Sequence, residues 1–178
     1  LDDINHVFRV QASDNRLKLI DGTGKPVYGA NMIPTVLNRV QIPLEDDWDQ
    51  FFDATKIYTD DVLFHTGVFQ VLTEVAVSSR SAVGSIQCDS EYRNVLAMDA
   101  GLQLALRWMA FASGQKSLPM GIELVQWYAS TPAVQVRLVG QGVQKRQGKC
   151  DIYWLDADDR LVLRAEGVTL ISLTEESS

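Results

Sequence analysis

Residues Val95 to Ser113, VLAMDAGLQLALRWMAFAS, show the pattern of one long helix. Apolar residues recur along this segment at the spacing of a single helix face. The apolar stripe consists of Leu102, Ala105, Leu106, Met109 and Ala110. Gly114 follows at once, and glycine is the usual residue just beyond a helix end because it adopts a left-handed conformation without strain. The sequence therefore predicts a helix that buries one face and ends at Ser113.

Segments typical of β-strands lie on both sides of this helix. VLTEVAVSS and SAVGSIQCD come before it, and GIELVQWYAS, AVQVRLVGQ, KCDIYWLD and LVLRAEGVTLISL come after it. One long helix with several antiparallel strands is the plan of an α+β domain in which the sheet wraps around the helix, as in a hot-dog fold. The pattern alone does not separate this fold from other α+β arrangements.

The first part of the chain has its own strand-and-turn pattern. VFRVQA, RLKLID and PVYGANM are typical of strands, and the glycines of DGTGK favour a turn. The layout of RLKLIDGTGKPVYGANMI is similar to that of DIYWLDADDRLVLRAEGVTLI, which suggests a repeat whose first copy has lost its front. We interpret residues 1–41 as the closing strands of a partial preceding unit, 42–57 as an acidic linker, 58–173 as the main domain and 174–178 as a frayed tail.

Composition excludes several classes of function. The 178-residue chain has 23 acidic and 16 basic residues, and the net charge of -7 argues against nucleic-acid binding. Two cysteines, Cys88 and Cys150, and two histidines are too few for a disulfide framework or a zinc site. No apolar segment approaches the roughly 20 residues of a membrane span, and the N-terminus is not a secretory signal. The sequence therefore predicts a soluble, cytoplasmic protein with no membrane, nucleic-acid or metal partner.

Asp99 and Gln103 are the first candidates for chemistry. They lie four residues apart on the predicted helix, and so on one face, beside the apolar stripe. Burial and the helix dipole can tune the pKa of a carboxyl group in such a position. The alternative is that Asp99 is a solvated first-turn residue and Gln103 an ordinary helix former. Spacing alone favours that alternative.

Two short motifs point to a family. LFHTGVFQ, Leu63 to Gln70, resembles the LFHGPxFQ motif at the start of the second hot-dog unit in dehydratase domains of polyketide synthases and bacterial polyunsaturated-fatty-acid synthases. MDAGLQ, Met98 to Gln103, is similar to the LDAxxQ motif of the same unit. The motifs occur in the family's order. The resemblance covers residues 58–173 and implies the C-terminal hot-dog of a double hot-dog.

The resemblance also implies roles for individual residues. Asp99 would be the acid that protonates the departing β-hydroxyl, and Gln103 would support it or hydrogen-bond the hydroxyl. His65 would line the acyl tunnel, with Phe69 and Gln70 packing beneath it. Without the motif, His65 would be interpreted as a half-buried histidine satisfied by a backbone carbonyl.

The function implied is dehydration of a 3-hydroxyacyl chain inside a multienzyme synthase. The substrate would be carried on the phosphopantetheine of acyl carrier protein, and the domain would need no cofactor of its own. Its partners would be that carrier protein, other domains of the synthase and, as a further option, a second copy in a homodimer.

The departures from the family pattern leave the activity open. Thr66-Gly67 replaces Gly-Pro, and Asn94-Val95 replaces the His-Pro that enters the family's helix. The family's base is the histidine of HxxxGxxxxP, yet Val10 follows His6 by four residues and Phe69 follows His65. The base therefore lies outside this chain, as the start at Leu1 suggests, or the domain is a silent acyl-binding or dimerising module. A free-standing hot-dog thioesterase is the third alternative.

Overall fold

The computed structural model describes residues 9–13, 16–31, 42, 47–89 and 91–173. These residues belong to two compact units, Leu1–Val40 and Gln41–Ser178. His6 lies outside the described residues. The second unit contains the long helix and both motifs.

The first unit is a three-stranded antiparallel sheet. Its strands are β1 (Arg9–Ser13), β2 (Arg16–Ile20) and β3 (Pro26–Asn31), in the order β1-β2-β3. This confirms the predicted strands. Their interpretation as the closing strands of a preceding hot-dog unit stays a prediction.

The second unit has eight strands and one long helix. The strands are β4 (Gln50–Asp53), β5 (Leu72–Val77), β6 (Ser81–Ile86), β7 (Ser117–Gly121), β8 (Leu124–Trp127), β9 (Gln135–Gln144), β10 (Gln147–Leu155) and β11 (Leu161–Ser172). The helices are α1 (Ala54–Ile57) and α2 (Arg93–Ser113), and Gly67–Phe69 forms a 3-10 turn.

The eight strands form one antiparallel sheet around α2. Their order is β4-β5-β6-β9-β10-β11-β7, with β8 also paired to β11. The helix packs against β5, β6, β7, β9, β10 and β11. The predicted α+β hot-dog architecture, a sheet wrapped around one long helix, is confirmed.

Residues 50–57 of the predicted linker form a strand and a short helix. β4 pairs with β5 at the edge of the sheet, and α1 follows directly, with the Asp53 carboxylate accepting a hydrogen bond from the Thr55 amide at 3.0 Å. An acidic, mostly exposed segment resembles a surface connection, but charged residues are also how proteins protect an edge strand. Composition therefore could not distinguish the two.

The helix α2 ends where the sequence predicts. Gly114 has φ 69°, and its amide donates to the Ala110 carbonyl at 2.8 Å, which closes the last turn. Contrary to the sequence expectation, this 21-residue helix is long and apolar enough to span a membrane. Its apolar window is 61% buried inside the unit, as expected for the core helix of a soluble domain.

Glycines allow α2 and the sheet to approach closely. A Cβ on Gly101 would lie 2.1 Å from Cζ2 of Trp154, and one on Gly140 would lie 2.3 Å from Cζ2 of Trp108. The Trp154 indole also donates to the Ala97 carbonyl of α2 at 2.6 Å. Each tryptophan ring thus occupies the space that a side chain on the opposite element would need.

Three tryptophans of the second unit differ in burial. Trp108 and Trp154 are buried in the core, whereas Trp127, on β8, is 50% exposed.

The two similar hairpins have the same turn. Oδ1 of Asp21 accepts hydrogen bonds from the amides of Thr23 and Lys25, and Oδ1 of Asp156 accepts from those of Asp158 and Arg160. Every one of these distances lies between 2.9 and 3.0 Å. The sequence likeness therefore extends to the conformation of the turns.

We expect Gly101→Ala to destabilise the domain by about 1–3 kcal/mol or more, because the added methyl group requires Trp154 or the helix to move. Chemical denaturation would measure the change in the free energy of unfolding. Gly121→Ala is the matched control, since nothing lies within 4 Å of a Cβ at Gly121. Equal stability of the two variants would contradict the proposed close contact.

Candidate active site

Three side chains lie at four-residue intervals along one face of α2. They are Asp99, Gln103 and Arg107. Gln103 and Arg107 are almost completely buried, at 0% and 3% exposure, whereas the Asp99 side chain keeps 27%. The loop that joins α1 to β5 supplies their partners. Each of these three polar side chains therefore contacts at least one residue outside the helix.

Gln103 is fixed by hydrogen bonds to both ends of its amide. The Tyr58 hydroxyl donates to Oε1 at 2.8 Å, and Nε2 donates to the Phe69 carbonyl at 2.7 Å. Nε2 also donates to Oδ2 of Asp99 at 2.7 Å. Tyr58 in turn accepts the amide hydrogen of Leu72 at 2.9 Å, so its own hydroxyl hydrogen must point to Gln103. These hydrogen bonds, from the Leu72 amide through Tyr58 to Gln103, orient the glutamine with its NH2 group toward Asp99.

His65 is the second partner of Asp99. Its Nε2 lies 3.5 Å from Oδ2 of Asp99, and its side chain is only 10% exposed. The Phe64 ring stacks on the imidazole, with centroids 4.5 Å apart and 20° between the planes. Nδ1 of His65 is buried without a hydrogen-bond partner among the described residues. The alternative of a histidine satisfied by a backbone carbonyl is therefore not what the structure shows.

The environment of Asp99 lowers its pKa. Partial burial, the largest single effect, raises the pKa, but the hydrogen bonds from His65 and Gln103 and the charge of His65 together outweigh it. Asp99 is therefore a carboxylate at neutral pH. A carboxylate accepts a hydrogen bond from a hydroxyl group and can take up a proton if burial increases.

Arg107 anchors the loop to the helix. Its guanidinium pairs with Asp60, donates to the Lys56 carbonyl at 3.2 Å, and lies 4.8 Å from the centre of the Phe52 ring. Burial raises the pKa of Asp60, but the hydrogen bonds from Arg107 and the Val62 amide and the Arg107 charge leave a lower pKa overall. This ion pair fixes the loop two helical turns from Asp99.

Phe69 and Gln70, which are expected beneath His65, have exposed side chains. The Phe69 side chain is 47% exposed, and its carbonyl is what reaches the site, through Gln103. The Gln70 side chain is exposed and donates to the backbone carbonyl of His65 at 3.1 Å. Phe69 ends the 3-10 turn Gly67–Phe69, in which Gly67 has φ 58°, and Gln70 follows it. Their predicted contact with substrate stays a prediction.

Tyr58, Asp60 and Arg107 are site residues that sequence reasoning missed. Arg107 carried a usable signal, because a charged residue four positions after Gln103 falls on the same buried face. Tyr58 and Asp60 carried none, since their contacts join residues 45 and 47 positions apart.

Exposed apolar side chains occur close in sequence to the residues of the site. Phe64 and Val68, which flank the His65–Gly67 segment, are 68% and 71% exposed, and Val95, one helical turn before Asp99, is 65% exposed. Among the described residues, no group of three or more His, Cys, Asp or Glu side chains could hold a metal ion. The site therefore presents one hydrogen-bonded carboxylate in apolar surroundings, an arrangement suited to acid–base chemistry on a largely apolar substrate.

Comparison with known proteins gives a family and several structural relatives. The family model described as polyketide synthase dehydratase N-terminal domain matches residues 45–178. The matched region contains LFHTGVFQ and MDAGLQ, which predict the second unit of a double hot-dog, and its place within such a pair stays a prediction. No curated protein matches the sequence.

The solved structures that are similar to this chain include several dehydratase domains. One, from a mycocerosic acid synthase-like polyketide synthase, has a TM-score of 0.72 and 17% identity, over 94% of this chain and 67% of that one. A trans-AT polyketide synthase dehydratase domain from Brevibacillus brevis has a TM-score of 0.72 and 18% identity, over 94% and 69%. The PpsC dehydratase domain of Mycobacterium tuberculosis, in complex with C12:1-CoA, has a TM-score of 0.67 and 16% identity, over 92% and 66%. At these identities, the likeness shows a shared fold.

We expect Tyr58→Phe to destabilise the domain by about 1–3 kcal/mol, because the Leu72 amide and Gln103 Oε1 both lose a partner in a partly buried place. Thermal or chemical denaturation would measure this. Tyr128→Phe serves as the control, because the Tyr128 hydroxyl makes one longer bond, 3.3 Å, to Gln126. A loss no larger than in the control would argue against the role assigned to Tyr58.

Acid should weaken the link between Asp60 and Arg107. A carboxyl group whose pKa is lowered by folding stabilises the folded state above its unfolded pKa of about 3.9 and loses that effect as pH falls through its folded pKa. We therefore expect the free energy of unfolding to fall more steeply below about pH 4 in the unmodified chain than in Asp60→Asn. Denaturation at several pH values measures both slopes. Equal slopes would show that Asp60 makes no pH-dependent contribution.

Proposed function

Because the chain belongs to the polyketide synthase dehydratase family, we propose that it provides the acid side of a dehydratase site within a multienzyme synthase. The substrate is a 3-hydroxyacyl chain carried on the phosphopantetheine of acyl carrier protein, and the product is a trans-2-enoyl chain. The observation that supports this most directly is the Asp99 carboxylate, bound by Gln103 and His65 and open on its remaining side.

The elimination needs a base at the α-carbon and an acid at the β-hydroxyl. The base removes the α-proton, the electron pair of that C–H bond forms the double bond, and the β C–O bond breaks. Asp99 gives its proton to the departing oxygen, which leaves as water. Before the elimination, the Asp99 carboxylate takes up this proton from water as substrate covers its exposed part, because further burial raises the pKa of a carboxyl group.

The base comes from outside the described residues. His65 is unsuited to this task because its side chain is 10% exposed and its Nε2 faces Asp99, on the acid side of the site. A base at the α-carbon must approach from the other side of the substrate. A histidine in HxxxGxxxxP sequence, as the family resemblance implies, would supply it.

The apolar surroundings suit an acyl chain. Phe64 and Val68 are exposed beside His65, and Phe69 and Gln70 lie on the same turn. We assign His65, Phe69 and Gln70 to the lining of the acyl tunnel near its reactive end. The PpsC dehydratase domain, which was solved with C12:1-CoA, is an example of this fold with an acyl thioester bound.

The partners follow from the same proposal. Acyl carrier protein delivers the substrate, neighbouring domains of the synthase hold the unit in place, and two copies pair as a homodimer in the cytoplasm. No cofactor of the domain itself is required, because the chemistry is proton transfer alone.

A silent acyl-binding module is the second candidate. It is favoured by the turn at Thr66-Gly67, where the family has Gly-Pro. It is also favoured because His65, on the acid side of the site, is the one histidine among the described residues. The family match argues against the third alternative, a thioesterase. Activity with the base-bearing unit present distinguishes the first two candidates.

We expect Asp99→Asn to reduce dehydration by about 10²- to 10⁴-fold, because the amide cannot donate a carboxyl proton to the leaving hydroxyl. Mass spectrometry of a 3-hydroxyacyl carrier-protein substrate would follow loss of water, with the chain joined to the unit that carries the base. Asp158→Asn is the control, since Asp158 lies in the exposed β10–β11 turn and pairs with Arg160. Full activity of Asp99→Asn would refute the acid role, and binding without turnover in the unmodified protein would favour the silent module.

A further inference from the structure

We propose that residues 174–178, TEESS, which follow the described part of the chain, bind to a basic corner of the second unit through the carboxylates of Glu175 and Glu176. The basic corner consists of Lys116, just after α2, and of Lys145 and Arg146, which form the turn between β9 and β10. The docked segment holds the chain that leaves β11 against the domain.

The basic corner lies away from the dehydratase site. Asp99 is in the first half of α2, whereas Lys116 follows the last residue of that helix, Ser113. At 1.5 Å per residue, Asp99 and Ser113 are about 21 Å apart along the helix. The docking of residues 174–178 is therefore independent of the proposed dehydration.

The backbone holds the end of β11 between the two parts of the corner. The Ser172 amide donates to the Arg146 carbonyl at 2.7 Å, and the Arg146 guanidinium donates to the Ser172 carbonyl at 2.9 Å. On the other side, the Leu173 amide donates to the Lys116 carbonyl at 2.7 Å. The residues after Leu173 therefore start between the β9–β10 turn and the segment that follows α2.

The charges of the corner have one sign, although the chain as a whole has a net charge of -7. All three side chains are exposed. The segments that carry and flank them, residues 111–122, 139–150 and 167–173, contain no Asp or Glu. Lys116 and Lys145 form no ion pair with any residue that the structure describes. A group of cations without carboxylates nearby in its own segments favours an acidic occupant.

Local structure accounts for only one of the three cations. The carboxyl end of α2 carries a partial negative charge, which favours a cation such as Lys116. Lys145 has φ 55°, a conformation for which glycine and asparagine are the favoured residues, so the turn itself does not require a lysine. A guanidinium has five N–H donors, so Arg146 can bind a carboxylate while it donates to the Ser172 carbonyl.

Glu175 and Glu176 can reach the corner without a rearrangement of the described residues. Glu175 is two residues beyond Leu173, so the two Cα atoms are at most about 7 Å apart. Lys116 is hydrogen-bonded to Leu173 itself, through its carbonyl. The segment TEESS has no large apolar side chain that could bind it to the core. Charge is therefore the property through which this segment can be ordered on the domain.

The test follows the backbone amides of the full chain by NMR. The double variant Glu175→Gln/Glu176→Gln removes both charges and keeps the size of the side chains. We expect the heteronuclear NOE of residues 174–176 to fall, and hydrogen exchange at the Leu173 amide to become about twofold to tenfold faster, because exposed ion pairs contribute modestly. The difference from the unmodified chain should shrink at high salt, which screens exposed charges.

Reversal of the charges tests the pairing directly. We expect Lys145→Glu to loosen residues 174–176 as well, and its combination with Glu175→Lys/Glu176→Lys to restore their order. Asp158→Asn/Asp159→Asn is the matched control, because it also removes two carboxylates from exposed positions, at the β10–β11 turn at the opposite end of these strands. The control should leave the Leu173 amide unchanged.

The outcomes distinguish the occupants of the corner. Unchanged NOE and exchange values in Glu175→Gln/Glu176→Gln, or no recovery in the charge-reversed combination, would overturn the docking of residues 174–178. Signals of Lys116 and Lys145 that shift with protein concentration would assign the corner to a second copy of the chain instead. Inorganic phosphate that shifts these signals equally in the unmodified chain and the double variant would assign it to a free anion, and either result would overturn the proposal.

Discussion

The contact between Gly101 of α2 and the ring of Trp154 on β10 sets the position of the helix within the sheet. A side chain on Gly101 would overlap that ring, and the Trp154 indole is hydrogen-bonded to Ala97 one turn earlier. Together these contacts fix both the position of α2 along its own axis and its rotation about that axis. An α-helix turns by about 100° per residue, so no slip of one residue could preserve them. The packing thus specifies one register.

That register is also what presents the polar face of the helix to the loop. Asp99 lies two residues before Gly101 and Gln103 lies two residues after it, so both sit within a turn of the contact that fixes the helix. Gln103 then forms a hydrogen bond with Tyr58, and Arg107 forms an ion pair with Asp60. Because Gln103 and Arg107 are buried, removing either partner of these contacts lowers the free energy of unfolding strongly. Core packing and site geometry are therefore consequences of one helix placement. A substitution in the core that moves α2 would therefore also move Asp99, even where the substituted residue does not contact Asp99.

The elements that the sequence predicts well are those specified by local pattern. The helix stripe that ends at Gly114, and the alternating strands after it, follow from the periods of helix and strand. β4 was missed because an exposed acidic edge strand has the composition of a surface loop. In the site, the Asp99–Gln103 pair follows from spacing, whereas Tyr58 and Asp60 depend on contacts between distant parts of the chain. The exposure of Phe69 and Gln70 could not be read from the motif, and neither could the positive φ of Gly67, because the family has proline at that position.

The paired aspartate turns bear on how the chain folds. Asp156 closes the β10–β11 turn with its own carboxylate, so the hairpin that lies inside the large sheet depends on contacts close in sequence. Local contacts form faster than distant ones, because little chain entropy is lost in closing a short loop. We therefore expect the β10–β11 hairpin, which carries Trp154, to form before α2 packs on the sheet. In that order of events, the Trp154 ring is in place first and Gly101 of α2 then packs against it. The hydrogen bonds of Asp99 and Gln103 form last.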